Sequence, residues 1–168
     1  GVYFVEKGLV KVHKHWGDRE MIVRFAKEGD VVGHRGISIS DSKSPISATA
    51  MQNSVVSFIE LDVFKTLLKT NNSFAYELMM FYAEELKWSE QKAGSLIHLS
   101  VKERLMIHLS YLKKQFGVDE EGYVQIELTK TDLAAYIGTT YESVYRVILE
   151  LEKENYLQFS GKKFRIEN

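Results

Sequence analysis

The chain has 168 residues, 45% of them hydrophobic and 27% charged, which is the balance of an ordinary folded globular protein and excludes a disordered or fibrous class. Its formal net charge of −1 supplies no bulk attraction for a polyanion, and from His98 onward ten Lys/Arg face eleven Asp/Glu, so any contact with nucleic acid must come from local placement of charge. The absence of cysteine excludes disulfides, cysteine-ligated zinc, iron–sulfur clusters and thiol chemistry, and with no apolar run near the roughly 20 residues of a bilayer span and no signal-like start, a cytoplasmic, membrane-free setting is expected.

The first sixty residues read as short strands. Val2-Tyr3-Phe4-Val5-Glu6-Lys7 breaks at Gly8, and Leu9-Val10-Lys11-Val12-His13-Lys14 alternates with period two. Trp16-Gly17-Asp18 is turn chemistry, and Met21-Ile22-Val23-Arg24-Phe25 runs back as the second arm of a hairpin. Glu28-Gly29-Asp30 turns the chain before Val31-Val32-Gly33. Residues 38–45, rich in Ser, Asp and Lys and ending at the only proline, predict a loop; Ser47-Ala48-Thr49-Ala50 and Ser54-Val55-Val56-Ser57-Phe58-Ile59 predict two more strands. Many short strands with intervening turns indicate a barrel or sandwich, entered here partway, since the chain opens inside a strand.

After Glu60 the period changes. Asp62 is a candidate cap for a short helix carrying Val63, Phe64, Leu67 and Leu68. Asn71-Asn72-Ser73 caps a long helix whose seam Ala75, Leu78, Tyr82, Leu86, Ser89, Ala93 and Leu96 has coiled-coil-like spacing and predicts pairing with a second helix; Phe74, Met79, Phe81 and Trp88 are expected to pack internally. The expected organisation is a β-domain over residues 1–70, a long dimerising helix over 71–98, and a third region over 99–168. Leu105, Met106, His108, Leu109 and Leu112 mark a helix ending near Phe116-Gly117, and Val124-Gln125-Ile126-Glu127-Leu128 alternates as a strand.

Thr129-Lys130-Thr131-Asp132 is a capping box. It opens a short helix with Leu133, Ala134 and Ile137 inward, closed by Gly138. A second helix starts after Thr139-Thr140 and turns Val144, Val147, Ile148 and Leu151 inward. Two helices joined at a glycine fit a helix-turn-helix, and the second then presents Tyr141, Glu142, Tyr145 and Arg146 outward, where such a helix meets base edges. Glu142 could instead close a Thr139-x-x-Glu142 capping box, and Arg146 could serve a salt bridge. The strands 155–159 and 163–166 flank Ser160-Gly161 as a hairpin with the basic residues Lys162, Lys163 and Arg165, which suits phosphate contacts.

Thr129-Lys130-x-Asp132-Leu133-Ala134-x-x-Ile137-Gly138-x-Thr140-x-Glu142-Ser143-Val144-x-Arg146 resembles the helix-turn-helix of CRP/FNR regulators, and Glu28-Gly29-Asp30-Val31-Val32-Gly33 resembles the turn before that family's phosphate-binding cassette. The resemblance spans nearly the whole chain. It implies an α+β fold: an N-terminal double-stranded β-helix (a jelly-roll-like β-roll), a dimerisation helix, and a C-terminal winged helix-turn-helix. It further implies a non-enzymatic homodimer on a two-fold symmetric operator in double-stranded DNA, with RNA polymerase as a further partner. The DNA-binding residues by this reading are Thr129, Lys130, Thr140, Tyr141, Glu142, Ser143, Tyr145, Arg146, Lys162 and Lys163; tyrosine at 141 and 145 departs from the best-known members.

The effector pocket implied by the resemblance comprises Gly33, His34, Arg35, Gly36, Ile46, Ser47 and Ala48, with Ser89 and Glu90 on the long helix. Members that bind cyclic AMP carry glutamate where His34 stands and arginine where Ile46 stands. An isoleucine cannot donate to a phosphate, and strand alternation would turn Arg35 away from His34. No certain cofactor is therefore expected, and the effector is an unknown small molecule other than cyclic AMP. Two alternatives stand beside this reading. One is a cupin-like β-barrel metalloprotein or enzyme, from His13, His15 and Glu20, against which hairpin-turn exposure of both histidines and no metal are expected. The other is an interaction module that binds a ligand or a protein but no DNA.

Overall fold

The computed structural model describes residues 1–37 and 46–167; the loop expected over residues 38–45 lies outside them. The chain divides into two compact units, Gly1–Glu90 and Gln91–Asn168. No helix among the described residues is long and apolar enough to cross a membrane.

The first unit is built on two three-stranded antiparallel sheets. One has the order β4 (Val31–Val32), β1 (Val2–Lys7), β6 (Val55–Ile59); the other runs β3 (Arg19–Ala26), β2 (Val10–Trp16), β5 (Ser47–Ala50). Alternating apolar residues from both sheets, Val5 and Val32 from one and Val10, Val12 and Ala26 from the other, meet in one core, as period-two patterning requires. A bulge between Val12 and His13 shifts the register of β2 against β3.

Helix α1 (Leu61–Thr70) buries Phe64 against Val2, Val31 and Leu78. Its N-cap is Glu60, with no side-chain cap; Asp62 sits inside the first turn rather than at the cap. Helix α2 (Asn72–His98) begins where the Asn71 side chain accepts from the Phe74 amide at 3.0 Å. Two of the expected seam residues turn inward. Leu78 is buried with Phe64, and Tyr82 donates its hydroxyl to the His34 carbonyl at 2.8 Å, because the β-domain offers both an apolar and a polar partner on that side of the helix. Met79, expected inside, is exposed, as are Leu86, Ser89, Ala93 and Leu96; Ala75 is intermediate.

In the second unit, Ser100 and Glu103 close a reciprocal capping box that starts helix α3 (Val101–Phe116). Helices α4 (Lys130–Ile137) and α5 (Tyr141–Lys153) follow, then the hairpin of β7 (Leu157–Ser160) and β8 (Lys163–Ile166). The segment predicted as a strand at Val124 to Leu128 does alternate, with Val124, Ile126 and Leu128 buried, but forms no continuous ladder. Its bonds to the β7–β8 hairpin, Val124 N–H to the Phe164 carbonyl of β8 and Leu128 N–H to the Lys162 carbonyl of the turn, are separated by a local turn in which Ile126 N–H returns to the Val124 carbonyl.

The core of this unit holds three basic groups, Lys92, Arg104 and His108. The Lys92 ammonium lies 4.5 Å from the centre of the Tyr136 ring, and burial pulls its pKa down to about 7. The His108 ring meets the same tyrosine edge-on at 5.0 Å and bonds the Arg104 carbonyl at 2.7 Å. Burial, joined by the Lys92 and Arg104 charges, pushes His108 down to about 4 against the opposing pull of that hydrogen bond. A histidine lowered on folding takes up protons more readily unfolded, so its stability contribution is complete above its usual 6.5 and is lost as the pH falls through about 4. Urea unfolding of the chain and of H108N, compared from pH 7 to pH 4, is expected to show the parent losing up to about 3 kcal/mol more than the variant; equal losses would contradict a neutral buried imidazole.

Candidate functional site

The outward face of α5 is produced by three local features. Gly138 ends α4 in the left-handed region at φ 70°, where its N–H and that of Thr139 both reach the Ala134 carbonyl. A Cβ there would come within 2.7 Å of a Leu96 methyl, so glycine is required by both conformation and space. Arg104 reaches this corner from α3, donating to the Leu99 carbonyl at 2.9 Å and to the Gly138 carbonyl at 3.5 Å. Thr140 then caps α5, its hydroxyl accepting from the Ser143 amide at 3.3 Å. The cap is Thr140 with Ser143, not a Thr139–Glu142 box, so Glu142 is left in the exposed first turn.

Val144, Val147, Ile148 and Leu151 are buried, which fixes the opposite face of α5 outward. Tyr141 and Tyr145 are 46% and 41% exposed and their rings stack 5.9 Å apart at 8°, making a flat aromatic step beside Glu142 and Arg146. Among the described residues Arg146 forms no ion pair; its nearest helical acid one turn on, Glu150, is held by Lys102 at 2.7 Å. The side chains of Thr129 and Asp132 complete the box expected at α4. Lys130 is half-buried, its ammonium 5.1 Å from the Phe159 ring centre, so it braces the hairpin. Lys162 and Lys163 are exposed on the hairpin, Lys163 with Asp119 at 3.9 Å, and Arg165 is engaged by Glu167 and lies over Tyr123.

In the first unit a cavity of about 520 Å³ opens between the sheets. Gly33, Gly36, Ile46, Ser47 and Ala48 line it together with apolar residues such as Val10 and Val56. His34, Arg35, Ser89 and Glu90, grouped with these by the sequence reading, do not. The cause is local: Gly33 at φ 87° ends the strand, and residues His34–Gly36 form a single 3₁₀ turn, so strand alternation no longer applies.

Both side chains of that turn converge on Glu85 of α2. His34 Nε2 lies 2.9 Å and Arg35 Nη2 3.3 Å from Glu85 Oε2, while Arg24 Nε of β3 lies 2.6 Å from Oε1. Arg24 also donates to the Val31 carbonyl and stands 3.6 Å from Asp30. Burial alone would raise the Glu85 carboxyl, but the His34 hydrogen bond and the Arg24 and Arg35 charges outweigh it and hold it below its usual range. The sequence assigns Glu85 and Arg24 no role beyond their places on a helix and a strand. Each is an ordinary charged residue in an amphipathic element, and only the fold brings β3, the 3₁₀ turn and α2 together. Replacing Glu85 by Gln leaves the half-buried Arg24 and Arg35 short of a counter-charge and is expected to cost about 2 kcal/mol in urea unfolding at pH 7. Since a lowered carboxyl contributes its stability above its usual 4.5, the gap between parent and E85Q should close as the pH falls below that value; a constant gap would show that the charge is not the cause.

The sequence matches the cyclic nucleotide-binding domain family over residues 1–71 and the Crp-like helix-turn-helix domain family over residues 103–168. It is 27% identical over 163 residues, 96% of this chain and 78% of the relative, to the cAMP-activated global transcriptional regulator CRP of Salmonella typhimurium. It is likewise 27% identical over 173 residues, 99% of this chain and 67% of the relative, to the fumarate and nitrate reduction regulatory protein of Yersinia pestis. Among solved structures, FixK2 from Bradyrhizobium japonicum superposes with a TM-score of 0.83 at 25% identity, covering 99% of this chain and 82% of that one.

Proposed function

The chain belongs to the CRP/FNR family of DNA-binding transcription regulators, which are not enzymes, and from that premise we propose that it reads a two-fold symmetric operator as a homodimer, under control of a small molecule other than cyclic AMP. The observation that carries the DNA half of this reading is the capped, exposed N-terminal face of α5 with Glu142 and Arg146 side by side in space and unburied. A guanidinium there can meet guanine O6 and N7 in the major groove, and a carboxylate can accept from a cytosine amine. The Tyr141–Tyr145 step adds apolar area for a thymine methyl, and Lys162 and Lys163 supply phosphate contacts.

Pairing is supported by the exposed stripe of α2. Met79, Leu86 and Ala93 recur every seventh residue, and Tyr76, Ala83, Glu90 and Ile97 recur in the alternating register; all are exposed in the single chain. This is an a/d seam with one polar position, offset from the one expected around Leu78 and Tyr82. Isolated, such a face would leave Ile97 77% and Leu86 62% in contact with water.

The effector half rests on the cavity. No charged side chain lines it among the described residues, and Ile46 faces it where cyclic AMP binders carry arginine. A cyclic phosphate placed there would lack its charge-assisted partner, while an uncharged, largely apolar molecule would suit the walls. A ligand pressing on Gly33 and Gly36 would move the 3₁₀ turn, and with it the His34 and Arg35 grip on Glu85 of α2, the helix that carries residues of both units. The reading is tested on duplexes recovered by genomic pull-down. R146A is expected to lose about 1–3 kcal/mol of preference for those duplexes over scrambled ones while sedimenting as the same dimer; unchanged preference would remove Arg146 from base reading.

A further inference from the structure

The β2–β3 hairpin holds a cluster that the regulator reading does not use. His13 and His15 are two residues apart on β2 and share a face, and Glu20 pairs directly with His15 across the ladder to β3. One ligand-type atom from each of the three lies within 4.8 Å of the other two. His13 Nδ1 is 3.0 Å and His15 Nε2 3.9 Å from the same oxygen, Glu20 Oε1. Contrary to the exposure expected beside a hairpin turn, His13 is buried, with 7% of its surface in contact with solvent. The bulge after Val12 carries it inward, and its Nδ1 is a buried atom whose one close polar neighbour among the described residues is Glu20 Oε1, without a well-formed hydrogen bond between them.

We propose that His13 Nδ1, His15 Nε2 and Glu20 Oε1 form a binding site for a divalent first-row transition ion, with zinc the best-matched probe. Two imidazoles and one carboxylate are the donor set such ions prefer, and none of the three needs to travel far. A tetrahedral ion with ligands at 2.0–2.1 Å sets neighbouring donors about 3.3 Å apart, close to the spacing already present. His15 and Glu20 are the outer members, so small side-chain rotations complete the set and leave one position to water. His13 is oriented for the task by a hydrogen bond outside the ligand set: its Nε2 lies 2.9 Å from the Thr49 hydroxyl of β5. With Nε2–H donating to Thr49, the Nδ1 lone pair is presented to the ion, the arrangement that fixes the tautomer of most metal-ligating histidines. One neighbour acts against the ion. The Lys11 ammonium lies 2.9 Å from Glu20, but on Oε2, and leaves Oε1 to the metal. The site draws on β2, β3 and, through Thr49, β5, so an ion bound there ties the whole of that sheet together.

The site is independent of the operator reading and is tested without DNA. The chelator-stripped 168-residue chain is titrated with zinc chloride by calorimetry, and its melting temperature is followed in parallel. The expected result is one zinc per chain at micromolar or tighter affinity, a rise in melting temperature with zinc, and no saturable response to magnesium. H15A and E20Q, both at partly exposed positions, should each weaken zinc at least tenfold with an unchanged circular dichroism spectrum, and T49V should weaken it about tenfold by releasing His13. Binding of less than one equivalent, or zinc affinity and melting shift unchanged in both H15A and E20Q, overturns the assignment.

Discussion

The DNA-facing part of the structure depends on one backbone corner. Gly138 occupies the left-handed region against Leu96, Arg104 bonds its carbonyl, and Thr140 starts the next helix two residues later. With so short a turn, the angle between α4 and α5 has little freedom, and the burial of Val144, Ile148 and Leu151 decides which side of α5 meets solvent. A side chain at 138 would have to relieve both backbone strain and a collision, and the surface carrying Glu142 and Arg146 would be re-aimed. Net charge matters little beside this. Ten basic against eleven acidic residues from His98 onward would be a poor polyanion binder if spread evenly; what counts is that the acids on the back of α5, Glu150 and Glu154, are occupied by Lys102, while Arg146 is not.

In the first unit the comparable constraint is a buried carboxylate. Glu85 is tolerated only because Arg24, Arg35 and His34 converge on it, and three elements that share no sequence neighbourhood are thereby held in one arrangement. The residues between Gly33 and Gly36 thus face two ways: the glycines border the cavity, and the side chains between them grip α2. That division keeps the His34 and Arg35 side chains out of the cavity lining.

Much of the fold was legible because its signals are local. Period-two alternation located the strands of the β2–β3 hairpin, apolar spacing located α3, the Thr129–Asp132 capping box located the start of α4, and Ser160-Gly161 located the wing. The helix-turn-helix was legible for the same reason, each of its features being a short-range demand of capping or backbone conformation. What was not legible depends on packing between elements or on a local irregularity of the backbone. Leu78 and Tyr82 have the spacing of a partner-facing seam, yet the β-domain claims them, a choice that apolar spacing cannot reveal. The resemblance groups His34 and Arg35 with the pocket and strand alternation sets them on opposite faces, but a single 3₁₀ turn brings both side chains to Glu85. Glu85 and Arg24 carry no signal except charge on elements that need some. His13 shows how one bulge can reverse an expectation of exposure: with the shift after Val12 it lies inside, between Thr49 and Glu20.

The central claim is geometric: two copies of the α5 face, related by a two-fold axis, enter successive major grooves. Hydroxyl-radical footprinting of a bound duplex measures that arrangement directly. The account predicts two protected patches of equal strength, symmetric about a dyad and centred about 10 base pairs, or a whole multiple of one helical turn, apart. A single patch without symmetry, or protection that moves freely along the duplex, would contradict it.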